Sequence, residues 1–272
     1  METTNEILPT EGRHVIHLFF RVEHSLWDVM DQEARIEAKT NLAEIVQDVR
    51  ATPATQLLVF SMVTPKADLG FMLVTPDLQT ADAFSKRLAL SLGPDVLSPV
   101  FSWLSMTERS EYTMSDEEYA QTLVVEEKLA AGSAEHAEKM EAFRTRITKY
   151  LKDRLEPNLP DWPVMCFYPM SKRRAQGQNW YALDFDARKK LMAGHARVGR
   201  TYSGRILQLI TGSTGLDDGE WGVTLFSRTT SDIKAVVYEM RFDEVSAQYA
   251  EFGEFFIGIQ MPLNALYARL ML

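Results

Sequence analysis

The sequence predicts an α+β fold made of two similar halves in one chain. Three observations point there. A strand–helix–strand–strand–helix–strand order can be read twice, before about residue 112 and after about residue 161. Two glycine-led strands, GFML at Gly70–Leu73 and GVTL at Gly222–Leu225, hold the same place in the two orders, and Leu88 falls in the following helix where Met240 does. The 272 residues are long for one small core and suit two similar halves or one large α+β unit.

In the first half, His14–Phe20 (HVIHLFF) reads as a strand rich in β-formers. From Asp31 to Arg50, the residues Ile36, Leu42, Ile45 and Val46 recur on one helical face. Gln56–Val63 is a second strand and Gly70–Thr75 a third. A helix follows from about Gln79 to Leu92, stopped by Gly93 and Pro94, and Val100–Met106 is a fourth strand. This order is that of the ferredoxin-like unit. The stretch Thr113–Leu155 reads as helical and charged, with Met140, Phe143, Ile147 and Leu151 forming one packing stripe. Pro157, Pro160 and Pro163 then mark a break. The expected division is 1–112, a helical linker 113–160, and 161–272.

In the second half, Val164–Tyr168 is a strand stopped by Pro169. Asp184–Val198 is a helix with Arg188, Leu191, His195 and Val198 on one side, ended by Gly199 as C-cap. Arg205–Thr211 and Glu220–Ser227 are strands joined by a Gly/Asp-rich loop. Ser231–Arg241 is a helix capped by Thr230 or Ser231, and Phe252–Ile259 supplies the last strand. Two such halves can pair their sheets into a dimeric α+β barrel.

Composition narrows the function. The net charge of −9 argues against nucleic acid or an anionic membrane as a partner held by bulk charge. The single Cys166 excludes internal disulfides and cysteine-rich metal centres. The opening METTNEILPTEG is polar and has no apolar core, so a loose arm is expected there and no secretory signal. No apolar run approaches the roughly 18 residues of a membrane span. The expectation is a soluble cytoplasmic protein.

Four places could carry chemistry. His195 has no second histidine or carboxylate at ligand spacing, so a protein-only zinc site is not expected. Two readings stay open: a helix-end histidine satisfied by a backbone carbonyl, or a lone axial ligand to a haem iron. Gln208 sits in RILQLIT, whose two faces both look buried. It is either paired to a neighbouring strand or loop, or held above a cofactor. In FYPMSKRR, Tyr168 alternates with Cys166 and Val164, and Lys172, Arg173 and Arg174 cluster in an acidic protein. That cluster is a solvated basic turn, or a carboxylate or phosphate clamp at the mouth of a pocket, beside a phenol able to serve as a redox or hydrogen-atom donor. Arg241 and Ser246 could also bind carboxylates, or Arg241 could pair with Asp243 or Glu244. Asp217, Asp218 and Glu220 read as an acidic turn without calcium spacing.

Several stretches together resemble the chlorite dismutase superfamily, and within it the coproheme decarboxylases. They are YPMSKRR (Tyr168–Arg174), NWY (Asn179–Tyr181), H-x3-GR-x-Y (His195–Tyr202), ITGSTGLDDGEWGVTLF (Ile210–Phe226) and YEMRFDEVSAQYAEFG (Tyr238–Gly253). The first half matches in element order, with TERSEY at Thr107–Tyr112 beside it.

The resemblance implies a peroxide-dependent enzyme that oxidatively decarboxylates two propionates of iron coproporphyrin III, at once substrate and cofactor, to give haem b. By motif, His195 is implied as the proximal ligand, Tyr168 as the radical-forming tyrosine and Lys172 as the lysine at the propionate. Gln208 is implied as the distal residue, Arg154, Arg241 and Ser246 as propionate-binding groups, and Trp180 as a pocket-lining ring. A homopentamer and a transient contact with coproporphyrin ferrochelatase are implied too. Chlorite dismutases resemble the chain in fold but carry an arginine where Gln208 stands. A non-enzymatic haem-binding or haem-transfer protein, a chlorite dismutase-like haem peroxidase and a barrel without haem are the competing readings.

Overall fold

The computed structural model describes residues 7–272; the first half of the expected N-terminal arm lies outside the described residues. The chain is α+β, with one large antiparallel sheet and, among the described residues, nine α-helices. It separates into two compact units. One runs up to Thr107 and again from Leu159 to Leu272, and the other is Glu108–Asn158.

The first unit opens with β1 (His14–Val22), α1 (His24–Val29), α2 (Gln32–Ala51), β2 (Gln56–Met62), β3 (Leu69–Thr75), α3 (Leu78–Ala89) and β4 (Leu97–Thr107). Asp31 and Asp77 start α2 and α3 by accepting from the N–H groups of Ala34 and Thr80. The sequence reading missed α1, which is too short to show periodicity and is anchored by the buried Trp27. The second unit holds α4 (Asp116–Val125) and α5 (Ala134–Leu155), packed through Tyr119 stacked on Phe143 at 4.2 Å. The single helical stretch expected there is broken between them, where Gly132 takes a positive φ of 77°.

The first unit resumes with β5 (Val164–Lys172), the small hairpin β6 (Arg174–Ala175) and β7 (Gln178–Asn179), and a 3-10 turn at Trp180–Ala182. Then come α6 (Phe185–Thr201), β8 (Ile206–Gly212), β9 (Trp221–Ser227), α7 (Thr230–Met240), α8 (Glu244–Tyr249), β10 (Ala250–Phe252), β11 (Phe256–Gln260) and α9 (Leu263–Arg269).

Four expectations need correction. Pro169 does not stop its strand. It sits where β5 passes from pairing with β11 to pairing with β10, so its missing N–H breaks no ladder bond there, and its carbonyl accepts from Gly253 N–H at 2.8 Å. Gly199 is not a C-cap, for α6 runs on to Thr201. A Cβ at Gly199 would meet Met240 Cε at 3.3 Å, so the glycine lets α6 approach α7, and the left-handed glycine beyond the helix is Gly204. The cap of α7 is Thr229, not Thr230 or Ser231. The last expected strand is two strands, β10 and β11.

Strand pairings run in the order β2, β3, β1, β4, β8, β9, β5, β11 and return to β2, all antiparallel. Side chains inside this circuit form one core, with Phe19, Phe60, Met72, Trp103, Phe167, Phe226 and Phe256. Outside it, α2, α3 and α9 cover β1, β2 and β3 in a second core. Both faces of β3 are therefore covered, and all seven of its residues are buried. A third core joins Cys166, Tyr168, Val223 and Leu225 to Tyr202 and to Ile233, Val236 and Met240 of α7.

Candidate functional site

The face of the sheet under α6 and α7 collects most of the candidate residues. Directly opposed residues of neighbouring strands share a face. Gln208 lies opposite Leu225 and Leu225 opposite Cys166, while Ile210 lies opposite Val223 and Val223 opposite Tyr168. Gln208 and Tyr168 thus stand on one face, in neighbouring rows two strands apart. Lys172 follows Tyr168 by four residues along β5 and shares that face by alternation.

Gln208 departs from expectation. Both faces of its strand were expected to be buried, yet Gln208 is exposed while Leu209 and Thr211 on the other face are buried. The helix α6 is no better covered. α6 has an apolar stripe, but none of its residues is buried. Val198 packs at the edge of the α7 core and Gly199 touches Met240, while Leu191 and His195, further back along the helix, are only half-covered. The amide stays solvated, and the helix stripe is only partly covered.

His195 is held from behind. Its Nδ1 lies 2.8 Å from Asp243 Oδ2, whose side chain is 6% exposed. A carboxylate there accepts the Nδ1 proton, which leaves the lone pair on Nε2. The same oxygen accepts from Ser246 N–H at 3.2 Å and from Ser246 Oγ at 3.4 Å, capping α8. Neither open reading had a carboxylate behind His195, and the pairing of Asp243 with Arg241 is not formed. A surface-like D-E-V-S start of a short helix gave no signal of this role beyond its capping pattern.

Lys172 is buried at 7% exposure, with Nζ 4.4 Å from the centre of the Trp180 ring. Burial lowers its pKa to about 8, against the opposing fields of Asp243 and Glu220. Tyr168 is 4% exposed, stacked on Phe255 at 4.5 Å and tilted against Phe252 at 5.7 Å. Burial pushes its phenol well above the usual range; Cys166 adds to this and the nearby Arg241 opposes it. Arg241 lies over Phe252 at 4.8 Å. Burial likewise pushes the Cys166 thiol up to about 12, which makes it a packing residue.

These contacts bring His195, Ser246, Lys172, Trp180, Tyr168 and Arg241 into one neighbourhood, with Asp243 as a shared partner of the first three. Arg154 belongs to the other unit, at the end of α5, where its Nε donates to Glu108 O at 2.7 Å. Arg173 and Arg174 are not free clamps. Arg173 donates to Gln178 Oε1 at 3.2 Å, and Arg174 is paired with Glu220. A cleft of about 450 Å³ is lined by Lys172 and Arg174 against Asp217, Asp218, Glu220 and Glu251, and it does not include Tyr168, Gln208 or His195. Among the described residues, no three His, Cys, Asp or Glu side chains are grouped to hold a metal ion, and no helix is long and apolar enough to cross a membrane.

A flat cofactor held through a single imidazole fits this donor set. The donor set offers a single imidazole nitrogen oriented by a carboxylate, on a helix with no buried residue. The family model for chlorite dismutase matches residues 35–261. A solved haem-binding protein from Thermus thermophilus is 36% identical, covers 96% of each chain and superposes with a TM-score of 0.80. The chlorite dismutase of Candidatus Nitrospira defluvii, solved with imidazole, is 18% identical over 97% of each chain, with a TM-score of 0.71.

Proposed function

The chain belongs to the chlorite dismutase family, and on that premise we propose that it is a coproheme decarboxylase, using hydrogen peroxide to convert iron coproporphyrin III to haem b. The observation that carries this reading is the pair Tyr168 and Lys172, four residues apart on one face of β5, with the neutral Gln208 on the same face. A carrier needs neither member of the pair. A neutral amide stabilises a developing oxyanion less than a guanidinium, which counts against chlorite breakdown.

His195 Nε2 would hold the iron, with Arg241, Ser246 and Trp180 toward the propionates and porphyrin edge; the motif resemblance alone adds Arg154 as a propionate-binding group. Bound iron coproporphyrin III supplies the oxidising power drawn from peroxide, and it is also the substrate. Burial keeps the Tyr168 phenol protonated throughout neutral pH, so it acts as a source and acceptor of a hydrogen atom and not as a phenolate. Lys172, at about 8, is mostly a cation at pH 7 and can hold a carboxylate beside that phenol. Each propionate, one peroxide and one proton give a vinyl group, carbon dioxide and two waters, and the reaction runs twice. Asp243 fixes the His195 ring and makes it a stronger donor than an unpartnered imidazole.

The same reading takes the two strand–helix sets as ferredoxin-like halves closed into a dimeric α+β barrel, which the strand circuit supports. It takes the residue 113–160 stretch as the linker between them. It also carries a homopentamer, a cytoplasmic location and a transient contact with coproporphyrin ferrochelatase, all supported by the motif resemblance. The Thermus relative, described as a haem-binding protein, favours a second reading, a haem-binding or haem-transfer protein without catalysis.

The deciding experiment is chromatography of the porphyrins after stepwise peroxide addition to the protein loaded with iron coproporphyrin III. Wild type should yield haem b, and Tyr168→Phe should bind with an unchanged visible spectrum and yield at least a hundredfold less. Near wild-type turnover by Tyr168→Phe would remove Tyr168 from the reaction. No haem b from wild type would leave the binding-protein reading.

A further inference from the structure

Glu220 reads in the sequence as part of an acidic turn, yet it is 3% exposed. A buried carboxylate persists only with partners. Its Oε2 accepts from the Lys172 backbone N–H at 2.7 Å, and its Oε1 accepts from the Arg174 guanidinium. The Tyr181 phenol is pushed up to about 12, by burial first and then by the Glu220 carboxylate. The Glu220 backbone N–H donates to Met170 O at 3.2 Å, and its carbonyl accepts from Ser213 N–H at 2.8 Å. One side chain therefore ties together the end of β5, the basic turn and the loop before β9.

We propose that Glu220 is a positioning residue for Lys172: it fixes the lysine's backbone and, through its charge, keeps the ammonium protonated at working pH. The proposal rests on the decarboxylase reading, in which Lys172 meets a propionate as a cation. The groups around Lys172 are few. Asp243 reaches it from the turn between α7 and α8, but that carboxylate is shared with His195 and Ser246. Trp180 and the Lys172 strand partner Ala250 carry no charge. Glu251, opposite Ser171 on β10, lies on the other face, and Arg173 and Arg174 follow on the same chain segment. Burial works against the ammonium, and its pKa already stands at about 8. The loss of either opposing carboxylate would carry it toward neutrality.

Glu220→Gln separates geometry from charge, because the amide oxygen can still accept from Lys172 N–H. The readout is trace acetylation of the full chain with acetic anhydride across pH, without porphyrin, followed by mass spectrometry of the Lys172 peptide. Its reactivity midpoint should fall by about half to one pH unit relative to wild type. The alkaline limb of decarboxylation in the loaded protein should shift down in parallel. An unmoved midpoint in Glu220→Gln overturns the proposal. Should that variant not fold, Arg174→Gln decides: Arg174 is exposed, its removal leaves the Glu220 charge uncompensated, and the midpoint should rise. No rise overturns the proposal. A wild type that makes no haem b would sink the decarboxylase reading alone, since the acetylation midpoint is read without substrate.

Discussion

Mild acid should weaken this fold through one residue, His17. It lies inside the strand circuit at 0% exposure, with Nε2 2.9 Å from Thr224 Oγ1 and its ring stacked on Phe167 at 4.0 Å. Its Nδ1 has no partner. Burial pushes its pKa from 6.5 down to about 3. The folded chain therefore resists a proton that the unfolded chain accepts, and stability falls as pH drops through the window between those values. It is intact above 6.5, and the loss is complete below about 3. At about 1.36 kcal/mol per pH unit, the loss is roughly 2 kcal/mol between pH 7 and pH 5 and about 5 kcal/mol over the whole window. His17→Gln keeps an amide for Thr224 but cannot titrate. Urea unfolding of both proteins without porphyrin, at pH 7 and pH 5, isolates the effect, because His14 and the carboxylates are common to both. An equal loss of stability in variant and wild type would refute the argument. The effect reaches the candidate site, since Phe167 precedes Tyr168 on β5.

Three further outcomes follow from the geometry. Asp243→Asn should lower the iron–imidazole stretch seen by resonance Raman in the loaded protein, because a neutral amide no longer draws the Nδ1 proton; an unchanged frequency would mean that another group orients His195. Gln208→Ala should leave folding within about 0.5 kcal/mol, as an exposed side chain should, while changing stopped-flow peroxide kinetics. Identical kinetics would place Gln208 outside the reaction. Leu266→Ala, at a fully buried position of α9, should cost about 2–5 kcal/mol in urea unfolding. A cost below about 1 kcal/mol would mean that α9 is not part of that core.

Much of the fold was legible because local signals and burial agree. Asp31 and Asp184 start helices where side-chain chemistry says they should, and β1 to β4 sit within a few residues of their hydrophobic runs. Misreadings fell where tertiary contacts overrule a local rule. Pro169 is tolerated because the ladder has a gap at its nitrogen. Gly199 is a close approach between helices, which sequence cannot tell from a cap. The candidate site was readable as residues but not as partnerships. Asp243 and Glu220 looked like solvated acids because nothing in their spacing shows that His195, Lys172 and Arg174 lie against them. Gln208 looked buried because alternation reports two faces, not what covers each of them.

The placement of α9 bears on how the chain can be made. Leu266 and Leu270 complete a core whose other walls, α2, α3 and β1 to β3, are all synthesised within the first hundred residues, and β11 closes the free edge of β2. At about 5–20 residues per second, those closing pieces emerge about 8–30 s after β4. Through that interval the nascent segment presents an unpaired strand and an apolar patch with no cover of its own. Its safety during synthesis depends on being shielded until the last pieces arrive, and slowing translation between residues 107 and 256 would lengthen that exposure without altering a single contact of the finished molecule.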